Sequence, residues 1–402
     1  NGATSPPGGV RGCAITSVEN AHVSDGIFSD VVCTASSSPA FGTASVNFAA
    51  GLTFSSAKYK LENCQFLSIS GDPYTLFSNG FHCSANAPGG LVDVPNKVIK
   101  NCLASKISGY QIVSGFEIDY TTNLIVEDCH SHDIKVLGLF ASTVSNYGRP
   151  RAVGFNLESS RGVGPATNND RDNTRGSCNQ VLFKNCSSSD NQAVLGMATG
   201  FFYSAGPFWK LNNAGGNANA VDLKNISFID CTSQRNIALA DIGNTSPAIG
   251  AGILVDRGVI PYVSGLGFFT NANAITSKLA DSLQDVFVKG CHISDCQGAG
   301  NGLVYTGGIV YLGVDSGMVC DSTVENSGNS GILLSGGPGA DLPLTGTTIT
   351  ANVLVQNNKV IKTSTAYNDV GNLNMFSYDT SYHNTTSFNP AFYATLYNNQ
   401  VL

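Results

Sequence analysis

VIKNCLA, residues 98–104, decides the fold once it is set beside five stretches that share its pattern: KLENCQF at 60–66, IVEDCHS at 125–131, LFKNCSS at 182–188, FIDCTS at 228–233 and FVKGCHI at 287–293. Three residues before each cysteine stands an apolar side chain: Leu61, Ile99, Val126, Phe183, Phe228 or Val288. Two before it stands a charged one in every copy except Ile229. Apolar and polar residues in alternation mark a strand with one buried face. The residue just before the cysteine is Asn63, Asn101, Asp128, Asn185, Asp230 or Gly290, the types that most readily take a left-handed backbone. Each copy therefore reads as a strand, a tight corner, and a second strand opened by an inward-facing Cys.

A second element recurs between these copies, a glycine leading a short apolar strand: GFHCS from Gly80, GFEID from Gly115, GFNLE from Gly154, GFFYS from Gly200, GILVD from Gly252, GIVYL from Gly308 and GILLS from Gly331. Strands that recur in register without helices between them indicate a solenoid of parallel strands. The steps between the motif cysteines are 38, 27, 57, 45 and 60 residues. Uneven loops on an even core disfavour a β-propeller, whose blades repeat at nearly constant length.

The rung pattern resembles the right-handed parallel β-helix (pectin-lyase-like) superfamily, known from polysaccharide lyases, polygalacturonases and phage tailspikes. The resemblance implies an all-β solenoid of about eight to nine rungs at the spacing of sheet strands, ~4.8 Å. Its expected extent is 55–365, with 1–54 as an amino-terminal cap and first irregular rung and 366–402 as a carboxy-terminal cap or tail. Fold alone does not name a function here, since enzymes, adhesins and fibres share this architecture.

Composition narrows the classes. The 402 residues carry 21 Lys and Arg against 28 Asp and Glu, a net charge of −7, with only 12% charged residues and 45 Gly. A basic nucleic-acid footprint is excluded, and no apolar run reaches the ~20 residues of a membrane-spanning helix. Twelve cysteines are few for a disulfide scaffold. Six in one column read as buried thiols, because ~4.8 Å between rungs exceeds the ~3.8 Å Cβ spacing of a disulfide. A Cys13–Cys33 bridge is the one pairing the sequence leaves open. With no CxxC pair or His cluster, no metal or other cofactor is expected.

Residues two and four after each strand-leading glycine should point outward and stack between rungs. In the middle rungs they are acidic, which makes Glu117, Asp119, Glu158 and Asp256 the catalytic candidates. Arg161 and Arg257 stand nearby as binding candidates for an acidic sugar. Phe208 and Trp209, in GPFWKLNN, offer aromatic faces for a sugar ring. Asn168 to Asn173 begins like a Ca²⁺ loop but lacks the turn glycine and closing Glu; His130 and His132 read as surface residues. Complete polygalacturonase or pectate-lyase signatures are absent, and the plainer reading of the acidic face is a solvated surface with a few ion pairs. Farther along, the outward positions become apolar (Phe202, Leu254, Val310, Leu312, Leu333), which demands a cover from the chain's own insertions or from other subunits. One insertion, 258–284, carries helical spacing at Ile275, Leu279 and Leu283.

Two functions follow as expectations. The first is a non-catalytic surface or secreted rod, viral or bacterial, extracellular or on a cell or virion surface, used as a fibre or for attachment to a polysaccharide or surface glycan, with a homotrimer as its assembly. The alternative is a polysaccharide-degrading glycoside hydrolase or lyase built on the acidic cluster.

Overall fold

The structure is a computed structural model that describes residues 9–34, 47–84, 97–119, 121–138, 150–158, 178–204, 222–240, 248–256, 282–300, 306–312, 314–328, 330–335, 351–361, 373–376 and 392–401. The expected fold is observed: among the described residues all regular elements are strands, stacked into three long all-parallel sheets as the rungs of a β-helix. The corner sheet holds the strands that end at the Asn or Asp corner, such as Lys97–Lys100, Thr122–Glu127, Asn179–Lys184 and Asp222–Ile229. The cysteine sheet holds the strands just after it, from Ile27–Ser29 through Gln65–Gly71, Leu103–Gly109 and His130–Val136 to Gln400–Val401. The glycine sheet holds Phe77–Ser84, Ile112–Asp119, Arg151–Glu158, Met197–Ser204, Gly250–Asp256, Gly307–Leu312 and Ser330–Ser335. Two 15-residue strands, Val10–Ser24 and Phe48–Glu62, pair along their length and each serve two of these sheets.

The corners form as the residue types require. Asn63, Asn101, Asp128, Asn185 and Asp230 all have φ between 51° and 54°, and Gly290 has φ 65°. A short polar side chain tolerates this backbone, and it also bonds to its neighbour: Asn101 Nδ2 donates to Asn63 Oδ1 at 2.8 Å, and Asn185 Nδ2 to Asp128 Oδ1 at 2.7 Å. A second left-handed corner follows inside the cysteine sheet at Ser68, Lys106, Asp133, Asp190, Arg235 and Asp295.

Inside, flat aromatic stacks reproduce the rung spacing. Phe116 and Phe155 stack at 4.8 Å, and Phe155 and Phe201 at 4.9 Å. The leading glycines owe their place to thickness rather than to an unusual backbone. A Cβ on Gly115, Gly154 or Gly200 would collide with the Oγ of Ser131, Ser188 or Ser233 on the opposite wall. All twelve cysteines are free thiols, Cys13 and Cys33 among them.

Leu283 departs from the helical expectation. It lies in the strand Ser282–Lys289, fully buried and in register with Leu223, because pairing with the rung below satisfies its backbone while its side chain enters the core. The rest of that insertion lies outside the described residues.

Candidate active site

In the glycine sheet, backbone register converts sequence alternation into columns. One outward column runs His82, Glu117, Asn156, Phe202, Leu254, Val310, Leu333; the next runs Asp119, Glu158, Ser204, Asp256, Leu312. The polar members of the first column, His82, Glu117 and Asn156, fall on three adjacent rungs, and Asp119 and Glu158 of the second share two of them. There, Glu117, Asp119 and Glu158 each bring a carboxylate oxygen to within 4.8 Å of the others.

This is no solvated surface. Glu117 is 1% exposed and Glu158 5%, so each needs partners to remain in place. Glu117 has two donors: Ser114 Oγ reaches its Oε2 at 2.7 Å and Asn156 Nδ2 its Oε1 at 2.7 Å. Asn156 Nδ2 also lies 3.3 Å from Glu158 Oε1, tying the two acids together. The guanidinium of the buried Arg151 forms an ion pair with Glu158 Oε1. At the more open side, His82 Nε2 contacts Asp119 Oδ2 at 3.1 Å, while Asp119 Oδ1 has no hydrogen-bond partner among the described residues.

The environments push these groups apart electrostatically. Burial, then the charge of Asp119, raises the Glu117 carboxyl above its ordinary range, against the lowering pull of Arg151, Asn156 and Ser114. For His82, burial alone would lower the value. The hydrogen bond and charge of Asp119, with help from Glu117, outweigh it and leave His82 raised. The arrangement thus sets a carboxyl that burial makes hold its proton more tightly beside a second carboxyl bonded to a histidine, a pairing that acid–base chemistry uses. The same three oxygens are also close enough to share a hard cation.

Three of the four acids expected from sequence are therefore brought together. Asp256 is not with them: it lies two rungs beyond Glu158, with Ser204 between, and is buried. Arg161, Arg257, Phe208 and Trp209 lie outside the described residues, as does the 168–173 string. Sequence reasoning missed His82, Arg151 and Ser114. Arg151 and Ser114 precede their glycines by three residues and one, odd offsets that strict alternation from the positions two and four after the glycine sends inward; the parity changes at the glycine step, so the pattern that exposed Glu117 could not have found them. His130 is exposed and bonded to Ser187 at 2.7 Å, well away from the glycine sheet's cluster in the register of the rungs.

No protein-family model, curated protein or solved structure matches this chain. Fold and site together define its class as a parallel β-helix with a buried carboxylate cluster on its glycine-led face.

Proposed function

We propose that the chain is a polysaccharide hydrolase working at Glu117 and Asp119. The observation that carries this reading is a buried carboxyl with a raised pKa within 4.8 Å of a second carboxyl that keeps one oxygen without a hydrogen bond. Glu117 is the general acid, giving its proton to the glycosidic oxygen as the bond to the anomeric carbon breaks. The Asp119 carboxylate, part-exposed beside His82, forms the new bond to that carbon, and His82 stabilises its charge. Water then hydrolyses the glycosyl–Asp119 ester, losing its proton to Glu117. Glu158 and Arg151 position Asn156, and through it Glu117. Carboxyl groups ~5 Å apart favour net retention of anomeric configuration, since a water needs a wider gap. The resemblance to pectin-lyase-like enzymes, which often place acids on such a strand face, supports the same assignment.

The test is incubation with a panel of polysaccharides, scored for new reducing ends and, as a control for lyase chemistry, for unsaturated sugars. Cleavage with retention is expected, falling roughly 10²–10⁴-fold in Glu117→Gln and at least as far in Asp119→Asn. Cleavage that survives Asp119→Asn would rule out the assignment.

One observation favours the rod as a second reading: every acid in the cluster has a partner, and two are almost wholly enclosed. On that reading the network only closes the face of an extracellular or surface fibre. Glycan binding without cleavage, unchanged in Asp119→Asn, together with a trimer mass in solution, is its expected outcome.

A further inference from the structure

The corner sheet carries an apolar stripe on its outer side, apart from the acidic cluster and independent of its chemistry. Val98, Ile125, Leu182, Phe287, Met318 and Leu354 follow in register on successive rungs, interrupted only by Ser227 between Leu182 and Phe287. The residue after each, from Ile99 and Val126 to Val355, enters the core, so the stripe faces away from it. None of the six is buried in the single chain, and Ile125 is 44% exposed. All-parallel sheets rarely leave an apolar face to water, and an apolar patch with polar rims marks a contact surface. Seven rungs at ~4.8 Å and five strand residues at ~3.3 Å give a patch of roughly 30 by 17 Å, ~500 Å² on each of two copies and ~1,000 Å² in all, the size at which a specific interface becomes stable.

The rims select the partner and its orientation. On the rung of Ile125 the residues two before and two after the stripe are Asn123 and Glu127; on that of Leu182 they are Gln180 and Lys184, and on that of Phe287 Asp285 and Lys289. One rung before Val98, around Lys60, they are Lys58 and Glu62. When two copies lie face to face with their rods parallel, about a two-fold axis along the rod, each rim residue meets the opposite rim of its own rung. Lys289 then meets Asp285, Glu62 meets Lys58, and Lys184 meets the neutral Gln180. Glu127, already held by Lys100 and Lys184 at 2.9 and 3.0 Å, meets Asn123. None of these rungs sets like charges together. Reversing one rod about the centre of the stripe at Ser227 would instead place Lys184 against Lys289 on both sides, a repulsion that the parallel arrangement avoids. We propose that the outer face of the corner sheet is a self-association surface, on which a second copy of this chain docks as a parallel two-fold dimer.

Sedimentation equilibrium and small-angle X-ray scattering of the whole wild-type chain at micromolar concentration test this without any variant. A mass of two chains is expected, with the cross-section doubled and the rod length that of one chain. Ile125→Lys with Phe287→Lys, both facing away from the core, should give a mass of one chain with the circular dichroism of wild type. Lys289→Asp sets two acids against each other across the interface and should weaken the dimer about 10-fold, since the symmetry counts each rim pair twice; adding Asp285→Lys should restore it. A wild-type mass of one chain or of three, a particle twice as long, a dimer that survives Ile125→Lys with Phe287→Lys, or a double rim variant no tighter than Lys289→Asp alone would each overturn the proposal.

Discussion

The outer face of the glycine sheet divides into two regions on one backbone. Over Phe77–Ser84, Ile112–Asp119 and Arg151–Glu158 its columns carry His82, Glu117, Asn156, Asp119 and Glu158. Over the next four rungs the same register carries Phe202, Leu254, Val310 and Leu333, which join Val153, Met197, Ile249, Ala251 and Leu312 in a second apolar cluster outside the main core. Phe202, Leu254, Val310 and Leu333 are at most 1% exposed within the single chain, so the cover that their apolar character demanded is present without a second subunit. The apolar region is closed to water and the polar one opens only at His82 and Asp119, and the two are held by different physics. The apolar rungs are held by transfer from water, ~1.5–3 kcal/mol for each large side chain. In the polar rungs each buried group is tolerable only with its partner, so a single acid brings Ser114, Asn156, Arg151 or His82 with it.

The largest effect should come from moving the character of one region into the other. Leu254→Asp places a carboxyl among apolar neighbours and should cost about 5 kcal/mol in urea unfolding, lost burial and an unpaired acid together. Asn156→Leu, the reverse exchange in the same column, deprives Glu117 of one donor and should cost only about 2 kcal/mol. Equal losses would mean that the two regions are not built differently.

Next in size is Arg151→Met. It leaves Glu158 buried without its cation, an expected loss of about 3 kcal/mol. The double variant Arg151→Met with Glu158→Met should recover most of that, because two apolar side chains suit the site as the neighbouring rungs do. A double variant as unstable as the single one would show that the ion pair is not what holds these rungs.

Much of this was legible in the sequence, for a physical reason. Parallel rungs repeat the same local demands, so corner Asn101, inward Cys102 and outward Glu117 each recur at fixed offsets. The glycine column was legible as a pattern but not as a cause: nothing in GFEID says that Ser131 occupies the room of a missing Cβ. Partner choice was less visible still. His82 meets Asp119 across 37 residues, and only the register of stacked rungs brings them together. Leu283 shows the opposite error, where local helical spacing was overruled by pairing with a strand 60 residues earlier.

The smallest effect concerns pH. His82 and Glu117 are both raised in the folded chain, so both contributions are present in full below the unfolded values and are lost as pH rises through the folded ones. For His82 that loss begins above its ordinary value of 6.5. The stability difference between wild type and His82→Gln should therefore shrink as pH is raised toward about 8, followed by thermal melting in buffers of matched ionic strength. A difference that grows with pH would reverse the assigned sign.

The central claim is that Glu117 and Asp119 form one coupled pair, and its most direct measurement is the titration of the Glu117 side-chain carboxyl by ¹³C NMR in wild type and in Asp119→Asn. The account predicts a wild-type value above the ordinary 4.5 that falls when the Asp119 charge is removed. An ordinary value, or one that ignores Asp119→Asn, would contradict it.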